Sequence, residues 1–474
     1  MTGSRADEWT AIARFDARRA CRRPAGRSGD PLGRRRRALR GLPVRDAGTS
    51  LASDEADLLT ALGRCYWNLS EARTAWRTLR RAIALYREQD DGAGMARATL
   101  EVLRIWGPPN RQRAMADEAL DLLGDGDPHL RALLLLRSRR QDEAIELASK
   151  HGFEDVLMAV TERDGWAAID EGRVADGLAA FRRAHEFYAR EGNYHPAAGL
   201  LRVAGFVTLQ AGRLDEGERL AAEALAYARG VHLRFPEQLA LMDLVGVAFA
   251  RGDFARCEAL IAETPGQTDF RADLYRMWIA ELRGDMPAAL GLMVDPERGG
   301  GATTALSQAH AAAAGLLFHA GRADAARQAL ETWAQIARDA GSLGDEAPAL
   351  ADCLAGLGSD DLLREVNEAY ETRRRGIVYA TLQGRGDAGA RGAIALRLGL
   401  AAPARAQYEA GLAWAERERC PIDAARCLLG LARVELAGGD HAAAGGHLDR
   451  ASAIFEQLGA RFYLDQVAEA RGGR

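Results

Sequence analysis

With 474 residues, the chain is long enough for two or three ordinary domains, or for one repeat array that grows without a single closed core. Ala, Leu and Arg dominate and β-branched residues are scarce, which favours helix, while a single lysine, Lys150, removes lysine chemistry. The net charge of −4 hides a split: residues 1–50 hold 13 Arg against 5 acids, +8, and the remainder holds 50 basic and 62 acidic residues, −12, which argues against a long nucleic-acid track.

Residues 1–50 form an Arg, Gly and Pro-rich arm, with RRACRR at 18–23 and RRRR at 34–37 separated by Pro24, Gly26, Gly29, Pro31 and Gly33. Such composition cannot bury a core and is expected to be disordered; its functional alternative is a contact with nucleic acid or a membrane surface. There is no apolar signal core and no run of about 18 apolar residues to cross a bilayer. Six scattered cysteines (Cys21, Cys65, Cys257, Cys353, Cys420, Cys427) suit reduced thiols. The expectation is a cytoplasmic protein without disulfides.

Helical periodicity begins at Leu51. Leu59, Leu62, Gly63 and Tyr66 share one helix, and Ala75, Leu79 and Ala82 share the next. Small residues at Gly63, Ala75 and Ala82 let two helices approach closely, with Leu79 filling the gap between them. This arrangement resembles the tetratricopeptide (TPR) helix pair. Taking Gly63 as the close-contact position, equivalents follow at Leu100, Ala132, Gly165, Gly205, Val245, Met277, Ala314, Ala351, Gly392 and Ala432, a period of about 37 residues. The expected fold is therefore all-α, a TPR-like α-α superhelix, or solenoid, of about eleven antiparallel helix pairs over 51–459. The units at 100, 132, 277 and 351 are weak and should be distorted.

Glycine recurs seven residues after the contact position, at Gly172, Gly212, Gly252, Gly284, Gly321, Gly399 and Gly439, where the first helix of a pair must stop. Longer joints are expected near 107–110, 296–301 and 341–348. Residues 460–474 should supply a capping helix and tail.

Motif by motif, no chemistry emerges. GRGDAG at 384–389 matches G-x-G-x-x-G, with Ile377-Val378-Tyr379 imitating a strand, but nothing else alternates strand and helix as a dinucleotide fold requires; it reads as a glycine-rich joint before a helix near Gly392. Lys150 is followed by His151, so no P-loop exists. Cys420, Cys427, His441 and His447 have six residues between the cysteines where structural zinc sites use two to four. Neither H-E-x-x-H nor G-x-S-x-G occurs. No catalytic, cofactor-binding or metal-binding residue is assigned.

The positive signal lies on the face expected to be concave. In TPR-like pairs the first helix lines a groove, and residues one and four places after the contact position point into it. Arg64, Trp67, Trp166, Phe206, Leu209, Trp278 and Arg433 occupy such places, together with Arg202, and Phe249 and Phe318 also fall there. Aromatics flanked by arginines can grip a peptide by apolar contact and carboxylate pairing. Core packing is the heavier reading of each aromatic taken singly, and Gly246 and Gly315 offer contact positions shifted by one that would turn Phe249 and Phe318 inward.

The last eighty residues, GAIALRLGLAAPARAQYEAGLAWAER and AARCLLGLARVELAGGDHAAAGGHLDRASAIFEQLGAR, resemble the C-terminal repeats of large bacterial signal-transduction ATPases, which carry LuxR-type helix-turn-helix or class III nucleotide cyclase partner domains. Those ATPase and DNA-reading activities are not expected to transfer, since Lys150 cannot serve a P-loop and only a few residues follow Ala470. What the resemblance implies is a non-enzymatic module in signal transduction or transcriptional regulation, taking a protein or peptide partner or a small effector in its groove. The alternative is a DNA-associated regulator subunit that contacts nucleic acid through the arm. No membrane partner is expected.

Overall fold

The computed structural model describes residues 51–68, 72–104, 109–264, 270–294, 303–372, 378–380 and 383–472. The arm at 1–50 and the expected joint at 296–301 lie outside them.

Helices occupy almost all of this length and fall into eleven successive pairs followed by one last helix. The pairs are α1 (Leu51–Asn68) with α2 (Ala72–Glu88), α3 (Gly92–Val102) with α4 (Pro109–Leu123), α5 (Pro128–Arg137) with α6 (Gln141–His151), and α7 (Glu154–Asp170) with α8 (Val174–Arg190). Next come α9 (Tyr194–Gln210) with α10 (Leu214–Gly230), α11 (Arg234–Ala250) with α12 (Phe254–Ala262), α13 (Phe270–Leu282) with α14 (Met286–Gly291), and α15 (Thr303–His319) with α16 (Ala323–Ala340). The array closes with α17 (Ala351–Leu357) and α18 (Asp360–Thr372), α19 (Ala388–Arg397) and α20 (Ala401–Glu418), α21 (Pro421–Ala437) and α22 (His441–Leu458), and then α23 (Arg461–Arg471). This is an all-α, TPR-like stack of helix pairs. Two of the weak units, those at 277 and 351, each contain a shortened helix: α14 has 6 residues and α17 has 7.

The turn inside each pair explains the glycine spacing. Gly252, Gly284 and Gly439 sit at φ of 73°, 78° and 81°, a left-handed conformation that a Cβ penalises. The next residue, Asp253, Asp285 or Asp440, bonds back five residues through its own N–H and caps the second helix by accepting from the N–H of Arg256, Ala288 or Ala443. One Gly-Asp dipeptide thus ends one helix and starts the next. Packing within pairs follows the small-residue rule. A Cβ on Gly63 would run into the Leu79 side chain, on Gly165 it would lie 2.9 Å from the Phe181 ring, and on Gly392 it would lie 2.5 Å from Tyr408.

The described residues divide into two compact units, one made of those within 51–163 with 229–235, the other of those within 164–228 with 236–472. In the first, Leu79, Tyr86, Met95, Leu134 and Val156 centre the core, and Trp67 lies 4.4 Å from the Phe235 ring. In the second, Phe249, Tyr275, Trp278, Leu428 and Phe455 belong to the largest cluster, and Trp333, Leu354 and Tyr370 to the next.

The second unit folds back on itself. Trp414 donates its indole N–H to the carbonyl of Gly212 at 2.9 Å, and Glu418 accepts from the N–H of Leu214 at 3.0 Å, across about 200 residues of chain. The last helix does more than shield an end. The Phe462 ring of α23 packs tilted against His319 of α15, 4.5 Å between centroids, and Tyr463 stacks 4.9 Å from Phe455 of α22.

Two strands complete the described chain: β1 (Tyr379–Ala380) pairs antiparallel with β2 (Arg385–Gly386), Tyr379 opposite Gly386 and Ala380 opposite Arg385. The GRGDAG segment, expected as a joint, is therefore half of a hairpin, and the following helix starts at Ala388.

Candidate binding surface

The residues expected to line a groove are split by the structure into surface and interior. In the second unit, Trp166 on α7 is half-buried 5.1 Å from the Phe181 ring, and Phe206 on α9 is half-buried with the Arg202 guanidinium 4.4 Å above it. Leu209 and Trp278 are interior residues, 0% and 2% exposed. Arg433 on α21 is half-buried, donating to Gln466 at 2.7 Å and lying 4.0 Å from Asp352. Phe249 is fully buried, and Phe318 covers Gly356. In the first unit, Trp67 is 5% exposed and belongs to the core, while Arg64 is exposed and pairs with Glu101 at 2.6 Å. Among these residues Arg202 and Phe206 share a half-buried contact, and Phe249 and Trp278 share one in the interior, with ring centroids 6.1 Å apart.

The reason for the inward turn is chemical. First helices of the second unit carry charged residues inside otherwise apolar stretches, and these meet one another. Arg202 donates to both carboxylate oxygens of Asp243 on α11, at 2.7 and 2.8 Å, a bidentate pair deep enough that burial pushes the Asp243 carboxyl up against the pull of the guanidinium. Farther along, the His319 ring sits between Glu281 of α13, 2.6 Å from Nδ1, and Asp352 of α17, 3.1 Å from Nε2. Burial disfavours the imidazolium, but the Glu281 charge and hydrogen bonds to both carboxylates outweigh it and lift the His319 pKa to about 9. Burial would raise Asp352, yet its bond to His319, with Arg426 and Arg433 near, holds it well below the usual carboxylate range. His319 is thus a buried cation between two anions.

The hairpin occupies the same unit. The Tyr379 hydroxyl donates to the carbonyl of Gly246 on α11 at 2.8 Å, and the ring is fully buried. Val378 N–H donates to the carbonyl of Gln210 at the end of α9 at 3.0 Å. Arg385, 4% exposed, lays its guanidinium 5.3 Å from the centre of the Trp278 ring and donates to the Pro348 carbonyl at 3.5 Å. Gly386 N–H donates to Asp423 on α21 at 3.0 Å. Burial pushes the Asp423 carboxyl up to about 6, against the attraction of Arg426 and the bond from Gly386.

Other openings are shallow. A cleft of about 550 Å³ between the α13–α14 turn and α23 is lined by Arg283, Asp285, Pro287, Arg461 and Asp465, so its charges balance. A second, of about 440 Å³, gathers Arg251, Arg256 and Arg419, but Asp215 and Glu218 pair with all three. Neither presents an excess charge to a ligand. Among the described residues no cluster of three or more His, Cys, Asp or Glu is arranged to hold a metal, and no helix is long and apolar enough to cross a membrane.

Sequence reasoning missed Asp243, Glu281, His319, Asp352, Asp423 and the hairpin. The signal was available for some of them. Asp243 in LALMDLVGVAFA and Glu281 in MWIAEL interrupt runs that are otherwise buried, and a carboxylate in such a run needs a partner. Nothing in the sequence names that partner, because it sits 41 residues away for Asp243 and 38 for Glu281.

No protein-family model matches the chain, and no curated protein matches it in sequence. Among solved structures it is similar to the crystal structure of the APC/C hetero-tetramer Cut9-Hcn1, at 14% identity over 88% of this chain and 87% of that one, with a TM-score of 0.38. The TPR-like assignment rests on the eleven helix pairs and their Gly turns.

Proposed function

We propose that the chain is a protein-binding repeat module that acts in the cytoplasm in bacterial signal transduction or transcriptional regulation, with no chemistry of its own. One observation carries the reading. Trp166 and Phe206 occupy the same register position, one residue past the close-contact glycine, on the first helices of two successive pairs, and both stay half-buried, whereas Leu209 and Trp278 at other expected groove positions are interior. Arg202, already committed to Asp243, stacks on Phe206 and gives that ring a fixed pose. Fixed aromatics beside a guanidinium are the anchors that protein interfaces use. Within the same unit, Arg433 is the other member of the expected set with a solvent-reachable guanidinium group, and it is proposed as a rim contact.

Affinity capture comparing the wild-type chain with Trp166→Ala/Phe206→Ala tests this. A specific partner should be lost from the double variant, and retention of every specific partner by a folded double variant refutes it. The charge split supports a second reading, in which the arm at 1–50 touches nucleic acid. Deleting residues 1–50 should then abolish a salt-sensitive DNA mobility shift, and no shift by the full chain removes that reading.

A further inference from the structure

The two clefts of the second unit are lined by similar residues, but their charges are met differently. In the smaller one, Asp215 and Glu218 engage all three arginines, so the cleft satisfies itself. The larger, of about 550 Å³, is walled by Arg283, Asp285 and Pro287 of the α13–α14 turn and by Arg461, Leu464 and Asp465 of α23. None of its four charged side chains forms an ion pair among the described residues. Arg283 lies 5.9 Å from the centre of the Phe254 ring, and Asp285 gives one oxygen to the Ala288 N–H at 3.1 Å. Sequence spacing does not explain the lack of pairing. Arg461 and Asp465 stand one helical turn apart, as do Arg113 with Asp117 and Arg219 with Glu223, and both of those pairs approach to 3.9 Å.

The walls that carry these charges are fixed. Gly284 has φ of 78°, and a Cβ there would lie 3.2 Å from the Arg461 Cβ, so turn and helix meet at the floor of the cleft. The Asp285 N–H bonds back to the Ala280 carbonyl at 2.9 Å. On α23, Tyr463 and Val467 are buried and Phe462 packs against His319, which turns Arg461, Leu464 and Asp465 toward the turn. Leu464 and Pro287 supply the apolar part of the lining.

The balance of charge decides what fits. A simple anion drawn to the two guanidinium groups would meet two carboxylates, and a simple cation would meet two arginines. A small molecule carrying both charges close together satisfies all four: its carboxylate accepts from Arg283 and Arg461, and its ammonium, with three N–H donors, serves Asp285 and Asp465. The volume falls within the span of about 300–1,000 Å³ used by small-molecule sites.

We infer that this cleft binds a free α-amino acid through its ammonium and carboxylate groups. The site shares no residue with the protein-binding surface and does not rest on that reading. Because the ligand touches both walls, its binding tightens the last helix against the α13–α14 turn. Exposed ion pairs are individually weak, so four of them give a dissociation constant of about 1 mM.

The full chain is titrated with each proteinogenic L-amino acid in low salt, where exposed charges are least screened, and binding is read by saturation-transfer NMR. At least one amino acid should bind with a dissociation constant of about 1 mM or below, and its N-acetyl and carboxamide derivatives, each lacking one charge, should bind at least about tenfold more weakly. Arg283→Gln and Asp465→Asn, both at exposed positions, should each weaken binding about fivefold with unchanged circular dichroism. Saturating ligand should also slow hydrogen exchange along α23. No binding of any amino acid below about 10 mM overturns the inference. So does a singly charged derivative that binds as tightly as its parent, or unchanged binding by both variants. The derivative comparison uses the wild-type chain, so it decides even where a variant does not fold.

Discussion

The buried triad Glu281–His319–Asp352 makes alkaline stability a sharp test of the interior. The folded pKa of His319 is about 9, above the ordinary value of about 6.5, so the triad's contribution is fully present below pH 6.5 and is lost as pH rises through 9. At about 1.4 kcal/mol per unit the full contribution is about 3 kcal/mol, and about 2.5 kcal/mol of it disappears between pH 7 and pH 10. The depression of Asp352 is the same attraction seen from the carboxylate and is not added. It acts at the other end of the scale, present above the ordinary carboxylate range and lost as pH falls through the depressed value. Urea unfolding followed by circular dichroism from pH 6 to pH 10, on the wild type and on His319→Gln, isolates the effect. Other buried groups titrate in both proteins and cancel in the difference. The wild-type advantage should be largest at pH 6 and nearly gone at pH 10, and a difference that stays constant over that range refutes a charged His319.

Three further outcomes follow from the same structure. Asp423 has its folded pKa raised to about 6, so the native state takes up a proton first and stability should rise by about 1.4 kcal/mol from pH 7 to pH 5, a rise absent from Asp423→Asn; parallel urea curves would sink this. The Tyr408 ring is held between Gly392 and Gly430, and Gly392→Ala should cost about 1–3 kcal/mol by overpacking, read as a lower urea midpoint. Burial pushes the thiols of Cys257, Cys353 and Cys427 up to about 12, so Ellman's reagent should modify half-buried Cys65 well before them in the native state, and equal rates would contradict the packing.

The helix pairs were legible because they depend on neighbours in sequence. A close-contact residue and a Gly seven places later specify a hairpin locally, and the Gly-Asp turns add a cap within three residues. The groove was not legible to the same degree. Register places Trp278 and Leu209 one and four residues after their contact positions, as it does Trp166 and Phe206, yet the first two are interior. What separates them is the hairpin: Arg385 covers Trp278, and Tyr379 lies in the same cluster as Leu209. GRGDAG failed as a joint for a related reason, since only the surrounding helices give a two-residue ladder its shape.

The sequence by itself determined the all-α class, the eleven pairs, their turns and the contrast between a basic arm and an acidic body, because periodicity, glycine conformation and charge are properties of short stretches. Tertiary structure alone decided which face is free. Asp243 finds Arg202, His319 finds Glu281 and Asp352, and Tyr379 finds Gly246 only after the second unit has folded back on itself, with the last of these contacts spanning 133 residues. A buried charge must be paired, but which residue pairs with it depends on how successive helix pairs stack, and a repeat period does not encode that.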